Sequence, residues 1–402
     1  MPKSIPVTAN TERTKPENRA FFPALDGLRA IAFLMVFFHH YLLVPWGWMG
    51  VDVFFVLSGF LITGILYDTC HDAYRARNFY VRRTLRIFPL YYSVMLALLL
   101  SAPIFHWQWS WSWLIWPAYL GNYAPFLRPY LPLSPMERLA DFHMVGAVSG
   151  FHITLFLGHF WSLCVEEQFY LIWPWVVFWI RDRVRLCWIC AATLPLCLAM
   201  RLAGQHLFPK WMLDNQILSR ATPFRLDALL IGGLIALLLR GSYSAMLLRI
   251  ARVALPIAMA ILLAWAYFTP AGNLVQQAQP DADWLFTWWL SALDLLAALV
   301  ILVAVQPRSL LYRGLSLRPL RWLGRISYGA YVLHDIPHVF YSHIGIRLAP
   351  THPRIAVATV ALISSIGLAW LSFRYLESPF LNLKERFTVS STPVLAQRSE
   401  RT

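Results

Sequence analysis

The sequence predicts an all-α integral membrane protein of about ten transmembrane helices around an interior polar cavity, with both termini cytoplasmic. Three observations carry that expectation. The chain is 58% hydrophobic and only 13% charged over 402 residues, which would leave a water-soluble domain with more apolar surface than its core could bury. Apolar runs of about 20 residues, the length needed to cross a hydrocarbon core, recur almost from end to end. The basic residues do not form one patch but gather in alternate connections between those runs.

Residues 1–20, "MPKSIPVTANTERTKPENRA", are polar and contain proline, with no apolar stretch leading to a small-residue cleavage site, so a disordered cytoplasmic tail is expected there. A multi-span domain over 21–386 follows, and 387–402 is expected to be a second disordered tail. Within the domain the apolar segments lie near 28–44, 50–67, 88–105, 160–180, 187–203, 223–240, 247–268, 285–306, 326–345 and 355–375. With the amino terminus inside, the inner connections carry Arg75 to Arg86, Arg181 to Arg185, Arg240 to Arg252 and Arg308 to Arg325, with Arg374 to Arg401 after the last segment. About 25 of the 34 Lys and Arg then face inside, as positive-inside topology expects. The stretch "HWQWSWSWLIWPAYLGNY" (106–123) is apolar enough to span, but counting it would invert every later connection. Its Trp and Tyr suit the headgroup level or a re-entrant piece, within a long outer connection running to about residue 159.

The same charge pattern accounts for the net charge of +14 without nucleic acid, for which no continuous basic patch exists. Five cysteines, Cys70, Cys164, Cys187, Cys190 and Cys197, are an odd number with no disulfide framework. Cys187-x-x-Cys190 has no matching second pair, and His143, His152 and His159 are irregularly spaced with few acids nearby, so these three read as part of a solvated loop and no metal site is expected. There is no Gly-rich phosphate loop and no Gly-x-Ser-x-Gly nucleophile elbow.

What remains is a set of polar side chains inside apolar segments. In "LRAIAFLMVFFHHY" eleven residues make almost three helical turns, so Arg29 and His40 share a stripe, about 20° apart around the axis and about 16 Å apart along it. His39 points about 100° away. Arg29 reads either as an interfacial anchor or as a functional cation, and His40 either as a hydrogen-bonded interior residue or as a catalyst. "GVDVFFVLSGFLITG" puts Asp52 at the start of the second segment with Ser58 deeper, and "WSLCVEEQFYLIWP" carries Glu166 and Glu167 into the fourth. A lone carboxylate in a bilayer costs on the order of 3 kcal/mol, so several together imply a polar interior. In "VRRTLRIFPLYY", Arg83 and Arg86 lie three apart on one helical face, as an inner-surface anchor or a phosphate clamp.

With these residues assembled, the chain resembles the acyltransferase-3 family of membrane O-acyltransferases over nearly its whole length. The resemblance rests on six strings in the family's order: "LDGLRAIAFLMVFFHH", "GVDVFFVLSGFLIT", "YVRRTLRIFPLYY", "GHFWSLCVEEQFYLIWP", "RLDALLIGG" and "LGRISYGAYVLHDIP". It implies transfer of an acyl group, commonly acetyl, from cytoplasmic acyl-coenzyme A to a hydroxyl of a carbohydrate or cell-envelope glycan. It implies no permanently bound cofactor and a place in the cytoplasmic (inner) membrane. The family's arginine-to-histidine spacing of eleven selects Arg29 and His40 and leaves His39 a neighbour. Its Arg-x-x-Arg motif falls on Arg83 and Arg86, expected to meet coenzyme A phosphates with Arg29 also on the donor side. Its acidic element falls on Glu166 and Glu167, and Asp227 and His334 lie in later strings as pocket-forming residues beside Asp52 and Ser58.

The chemistry suits these residue types. A hydroxyl becomes an effective nucleophile when a base takes its proton, and an imidazole, with an unperturbed pKa of about 6.5, makes His40 the candidate base. Glu166 is expected to orient or charge-stabilise that ring. An acyl-His40 intermediate stays open, as does the donor that stabilises the thioester oxygen. The alternative is a transporter or flippase of an acylated or glycosylated substrate, which inverted repeats would favour; none is visible. The sequence leaves the oligomeric state unread.

Overall fold

The computed structural model describes residues 22–44, 46–106, 111–127, 143–148, 151–214, 216–268 and 287–388. The expected tails, 1–20 and most of 387–402, lie outside them. Every apolar segment expected from the sequence contains helix where described, although not all of them are continuous. The principal helices are α1 (Pro23–Leu42), α2 (Gly50–Asp68), α3 (Arg75–Leu100), α4 (Trp161–Ile180), α5 (Arg183–Leu207), α6 (Leu226–Leu238), α7 (Ser244–Phe268) and α8 (Trp288–Ala304). They are followed by α9 (Arg318–Arg325), α10 (Ser327–Leu333), α11 (His338–Leu348), α12 (Pro353–Ser372) and α13 (Ser378–Phe387).

Among the described residues, six helices are long and apolar enough to cross a membrane: Pro23–Leu42, Gly47–Asp68, Arg75–Leu100, Arg183–Leu207, Ser244–Ala264 and Pro353–Phe387. Leu226–Leu238 and Trp288–Ala304 are apolar but shorter. Burial ranks them: 67% of the span at α2 and 50% of that at α1 is buried, against 6% for Ser244–Ala264. With α6, of whose 13 residues 10 are buried, the first two helices form the centre of the bundle, and α7 presents its apolar surface outward.

Small residues explain how the centre closes. Apolar lipid gives helices no hydrophobic reason to associate, so close backbone approach must supply the contact energy. At the crossing of α2 and α6 a Cβ on Gly59 would strike the Leu229 carbonyl, and one on Gly232 would strike the Val56 carbonyl. On the other side of α1, Gly27 abuts the Leu315 carbonyl and Gly324 in α9 abuts the Asp26 carbonyl.

Three departures from the sequence expectation have physical causes. First, α3 starts at Arg75 rather than near 88, so Arg83 and Arg86 lie in its third and fourth turns instead of in a connection. Second, the outer connection is not wholly irregular: His143–Val148 (β1) and Phe151–Phe156 (β2) pair antiparallel, His143 opposite Phe156. The Trp-rich stretch forms no long helix where described, only 3₁₀ turns at Trp111–Ile115 and Gly121–Tyr123. It folds into the bundle instead: Trp116 is buried, with its carbonyl accepting from Tyr91 at 2.6 Å, and Gln168 of α4 donates to Tyr119 O and Asn122 Oδ1 at 2.7 and 2.9 Å.

Third, the expected ninth segment is broken between α10 and α11. Pro337 disfavours helical geometry at the residue before it and offers no N–H, so the helix stops at Leu333. Non-helical backbone inside a membrane must find partners for its freed carbonyls. Here three side chains supply them: His334 Nδ1 donates to Tyr331 O at 2.7 Å, Tyr41 OH to His334 O at 2.7 Å, and His159 Nε2 to Val332 O at 3.2 Å. The break thus turns a buried stretch of backbone into a polar cluster at the far end of α1.

Candidate active site

A cavity of about 940 Å³ opens between α1, α2, α3, α4 and α10. Arg29, Ser58, Arg83, Arg86, Glu166 and Glu167 all line it, so six of the residues singled out by sequence meet in one place. Asp68, Asp72, Arg75 and Arg82 line its end toward the α2–α3 connection, and Ser162 and Tyr331 its deeper part.

Arg83 is held in an unusual way. Its guanidinium carbon sits 3.7 Å from the centroid of the Tyr170 ring, a cation–π contact. Its Nη2 lies 3.9 Å from Glu166 and its Nε 3.9 Å from Glu167, both beyond hydrogen-bond length, and Nε is buried with no hydrogen-bond partner among the described residues. Tyr170 is steadied in turn by its hydroxyl contact with Ser58. The cation is therefore positioned by ring stacking and by charge at a distance rather than by a short ion pair. Arg29 donates to Asp26 at 3.2 Å. Such a concave cluster of guanidiniums suits a polyanionic ligand such as a phosphorylated donor.

The histidines occupy the other end of α1. His40 Nδ1 lies 2.9 Å from His334 Nε2, and the two rings stack with centroids 5.1 Å apart. Asp335 Oδ2 is 3.6 Å from the same His40 nitrogen, and its Oδ1 is 3.4 Å from His338 Nδ1. His334 is fully buried, whereas 24% of the His40 side chain is exposed, so His40 is the member that a substrate can reach. His39 does different work: its Nδ1 donates to Val44 O at 2.9 Å, tying down the end of α1. His40 and His334 do not line the cavity; they connect to it through Tyr331, whose carbonyl holds His334. The Tyr331 hydroxyl bonds Ser162 at 2.6 Å and His159 O at 2.9 Å.

This geometry corrects several expectations. Glu166 does not accompany His40: its partner is Arg83, and the carboxylate beside the imidazole is Asp335. Asp52 and Asp227 do not line the cavity but belong to a separate buried network. Asp52 pairs with Arg225, while Arg201 donates to Asp227 Oδ1 at 3.2 Å and Oδ2 at 2.6 Å and to Ser291 at 2.5 Å. His159, expected in a solvated loop, is 3% exposed and packs edge-on against His334 with centroids 4.9 Å apart. His143 and His152 lie on β1 and β2. Asp335, Tyr331 and Ser162 join these clusters without being singled out by the sequence. Asp335 carried a signal, an acid inside an apolar segment just before a proline, whereas the tyrosine and serine carried none.

These features describe a membrane protein with an arginine-lined cavity and a histidine–aspartate cluster at opposite ends of one central helix. An acyltransferase domain model matches residues 22–374, and the chain belongs to that acyltransferase-3 family. It is 30% identical to the peptidoglycan O-acetyltransferase OatA of Listeria monocytogenes over 383 residues, which cover 92% of this chain and 57% of that protein. It is also 30% identical to the putative peptidoglycan O-acetyltransferase YrhL of Bacillus subtilis, covering 91% and 56%. With the O-acetyltransferase OatA of Staphylococcus aureus it shares 26%, covering 89% and 57%. The chain spans somewhat more than half the length of these relatives. No solved structure matches it.

Proposed function

We propose that the chain is a membrane O-acyltransferase, moving an acetyl group from cytoplasmic acyl-coenzyme A to a hydroxyl of a cell-envelope glycan, peptidoglycan first among them, on the outer side. The observation that carries this reading is the placement of Arg29 and His40 on α1, one lining the arginine cavity and the other in the histidine cluster about 16 Å along the axis. Arg29, Arg83 and Arg86 bind the donor's phosphates, the thioester arm runs up the cavity toward Ser162 and Tyr331, and His40 takes the proton of the acceptor hydroxyl. That assignment agrees with family membership and with the O-acetyltransferase activity for which the relatives are named. Both termini and the donor side of the cavity face the cytoplasm, and the protein sits in the cytoplasmic membrane.

The test is sided transfer in proteoliposomes of the full chain, with acetyl-coenzyme A supplied on the face that bears the amino terminus and soluble glycan fragments on the other. One acetyl increment per modified glycan, read by mass spectrometry, is the expected result. Movement of an acetylated glycan across the membrane with no new ester formed would identify a carrier instead. Ester formed only when both reactants share a face would keep the enzyme and remove the through-membrane passage.

A further inference from the structure

We infer that His334 and Asp335 are positioning residues that hold the His40 proton on Nδ1, leaving Nε2 as the nitrogen that receives the acceptor's proton. The inference deepens the reading of His40 as the base and rests on it. The Tyr331 carbonyl can only accept, so His334 Nδ1, 2.7 Å from it, must carry a hydrogen. A neutral His334 protonated on Nδ1 presents a bare lone pair on Nε2. That lone pair faces His40 Nδ1 at 2.9 Å, so His40 Nδ1 is the donor of the pair. Each tautomer is fixed by the next partner in the chain, and the chain ends on a backbone oxygen that cannot reverse it.

The anchor is itself immobilised. Tyr41, one residue beyond His40 on α1, donates to the His334 carbonyl at 2.7 Å, and the His334 ring lies edge-on to Phe33 with centroids 6.1 Å apart. His334 and His40 are thus tied by both side chain and backbone. Asp335 adds a second role. The acceptor O–H gives its proton to His40 Nε2 as the oxygen forms a bond to the acyl carbon. The thioester C–S bond then breaks, and the proton passes from the imidazolium to the departing thiolate. While the ring is cationic its Nδ1–H lies 3.6 Å from Asp335 Oδ2, where a carboxylate stabilises it. His334 selects the tautomer, and Asp335 supports the charge.

The same atoms admit a competing arrangement. His40, His334 and Asp335 each offer one metal-ligating atom, and all three lie within 4.8 Å of one another. A cation bound there would occupy His40 Nδ1 and force its proton onto Nε2, abolishing the base. The two arrangements therefore assign opposite tautomers to one residue.

Histidine ¹⁵N chemical shifts of the full chain in lipid nanodiscs separate them, with His40 assigned by its loss in His40→Gln. The expected signal is an Nδ1–H, Nε2-bare imidazole. His334→Phe keeps an aromatic ring against Phe33 but removes the acceptor, and should let His40 relax to a mixture of tautomers. Its turnover should fall several-fold, in proportion to the fraction of His40 that leaves the Nε2-bare tautomer, with donor affinity unchanged. Asp335→Asn should leave the tautomer in place and lower turnover by a smaller factor. An Nε2–H signal in the wild type, or an unchanged Nδ1–H signal in His334→Phe, would overturn the inference. So would one tightly held metal ion per chain whose removal by chelator abolishes transfer. Full turnover in His40→Ala would instead defeat the base reading itself, an outcome that the nitrogen shifts distinguish from failure of the tautomer lock.

Discussion

The protein holds two groups of opposite charges between its helices, one fully buried and one partly exposed, and they are built differently. Between α2, α5, α6 and α8, Arg225 meets Asp52 and Arg201 meets Asp227 bidentately, with all four side chains at 3% exposure or less. Around the cavity, Arg83 stands 3.9 Å from both Glu166 and Glu167 and leans on the face of Tyr170. The first group closes two short ion pairs away from the cavity, although Arg225 Nε and Nη1 and both Asp294 carboxylate oxygens have no hydrogen-bond partner among the described residues; the second sets a guanidinium at the edge of an open volume. Burial and charge alone do not mark a functional site in a membrane protein. The distinguishing feature is a short ion pair closed away from any cavity, as for Arg201 and Asp227, against a cation 3.9 Å from its acids that lines an open volume.

The largest expected effect is in the closed group. Asp227→Ala leaves Arg201 buried without its carboxylate, and breaking such a pair costs about 3–5 kcal/mol. Folded protein recovered from membranes should drop sharply, as read by size-exclusion profile and thermal unfolding in detergent. Normal recovery with a selective loss of transfer would place Asp227 in the site after all.

The open group should respond the other way. Arg83→Gln removes a cation that makes no short intramolecular ion pair, so folding should be retained. Donor binding should weaken by about 1.5–3 kcal/mol, roughly 10- to 150-fold in Kd, the range for one charge-assisted contact to phosphate. Isothermal titration with acetyl-coenzyme A measures it. A lost fold with no change in donor affinity in the surviving protein would erase the distinction between the two groups.

The smallest effect belongs to Tyr170→Phe. The ring beneath Arg83 stays and only the contact with Ser58 is lost, a net hydrogen-bond contribution of about 0.5–1.5 kcal/mol. Donor affinity should fall several-fold at most. Tyr170→Leu, which removes the ring, should cost more, and equal losses in the two variants would show that stacking does not hold Arg83.

The sequence made much of this legible, and the reason lies in periodicity. Arg29 and His40 share a helix, and so do Arg83 and Arg86, and their common faces follow from residues per turn alone. The break before Pro337 was written in the chain, although an apolar run through 326–345 hid it. What stayed illegible were pairings across long separations. Asp52 finds Arg225 173 positions away, and His40 finds His334 294 away. A carboxylate's sequence position says that it needs a partner, not which one it has. For that reason Glu166 stood in for Asp335 as the companion of His40, and Asp52 was drawn toward the cavity. His159 escapes the sequence for the same reason: its surroundings come from α10 and His334, far along the chain.

The claim at the centre of this account is that the two ends of α1 divide the work, donor binding at Arg29 and proton transfer at His40. The most direct measurement pairs acetyl-coenzyme A affinity with acetyl transfer in the same nanodisc preparation of His40→Ala. The expected result is a wild-type donor Kd with transfer at background. Full transfer by that variant, or a donor affinity that collapses together with turnover, would contradict the division.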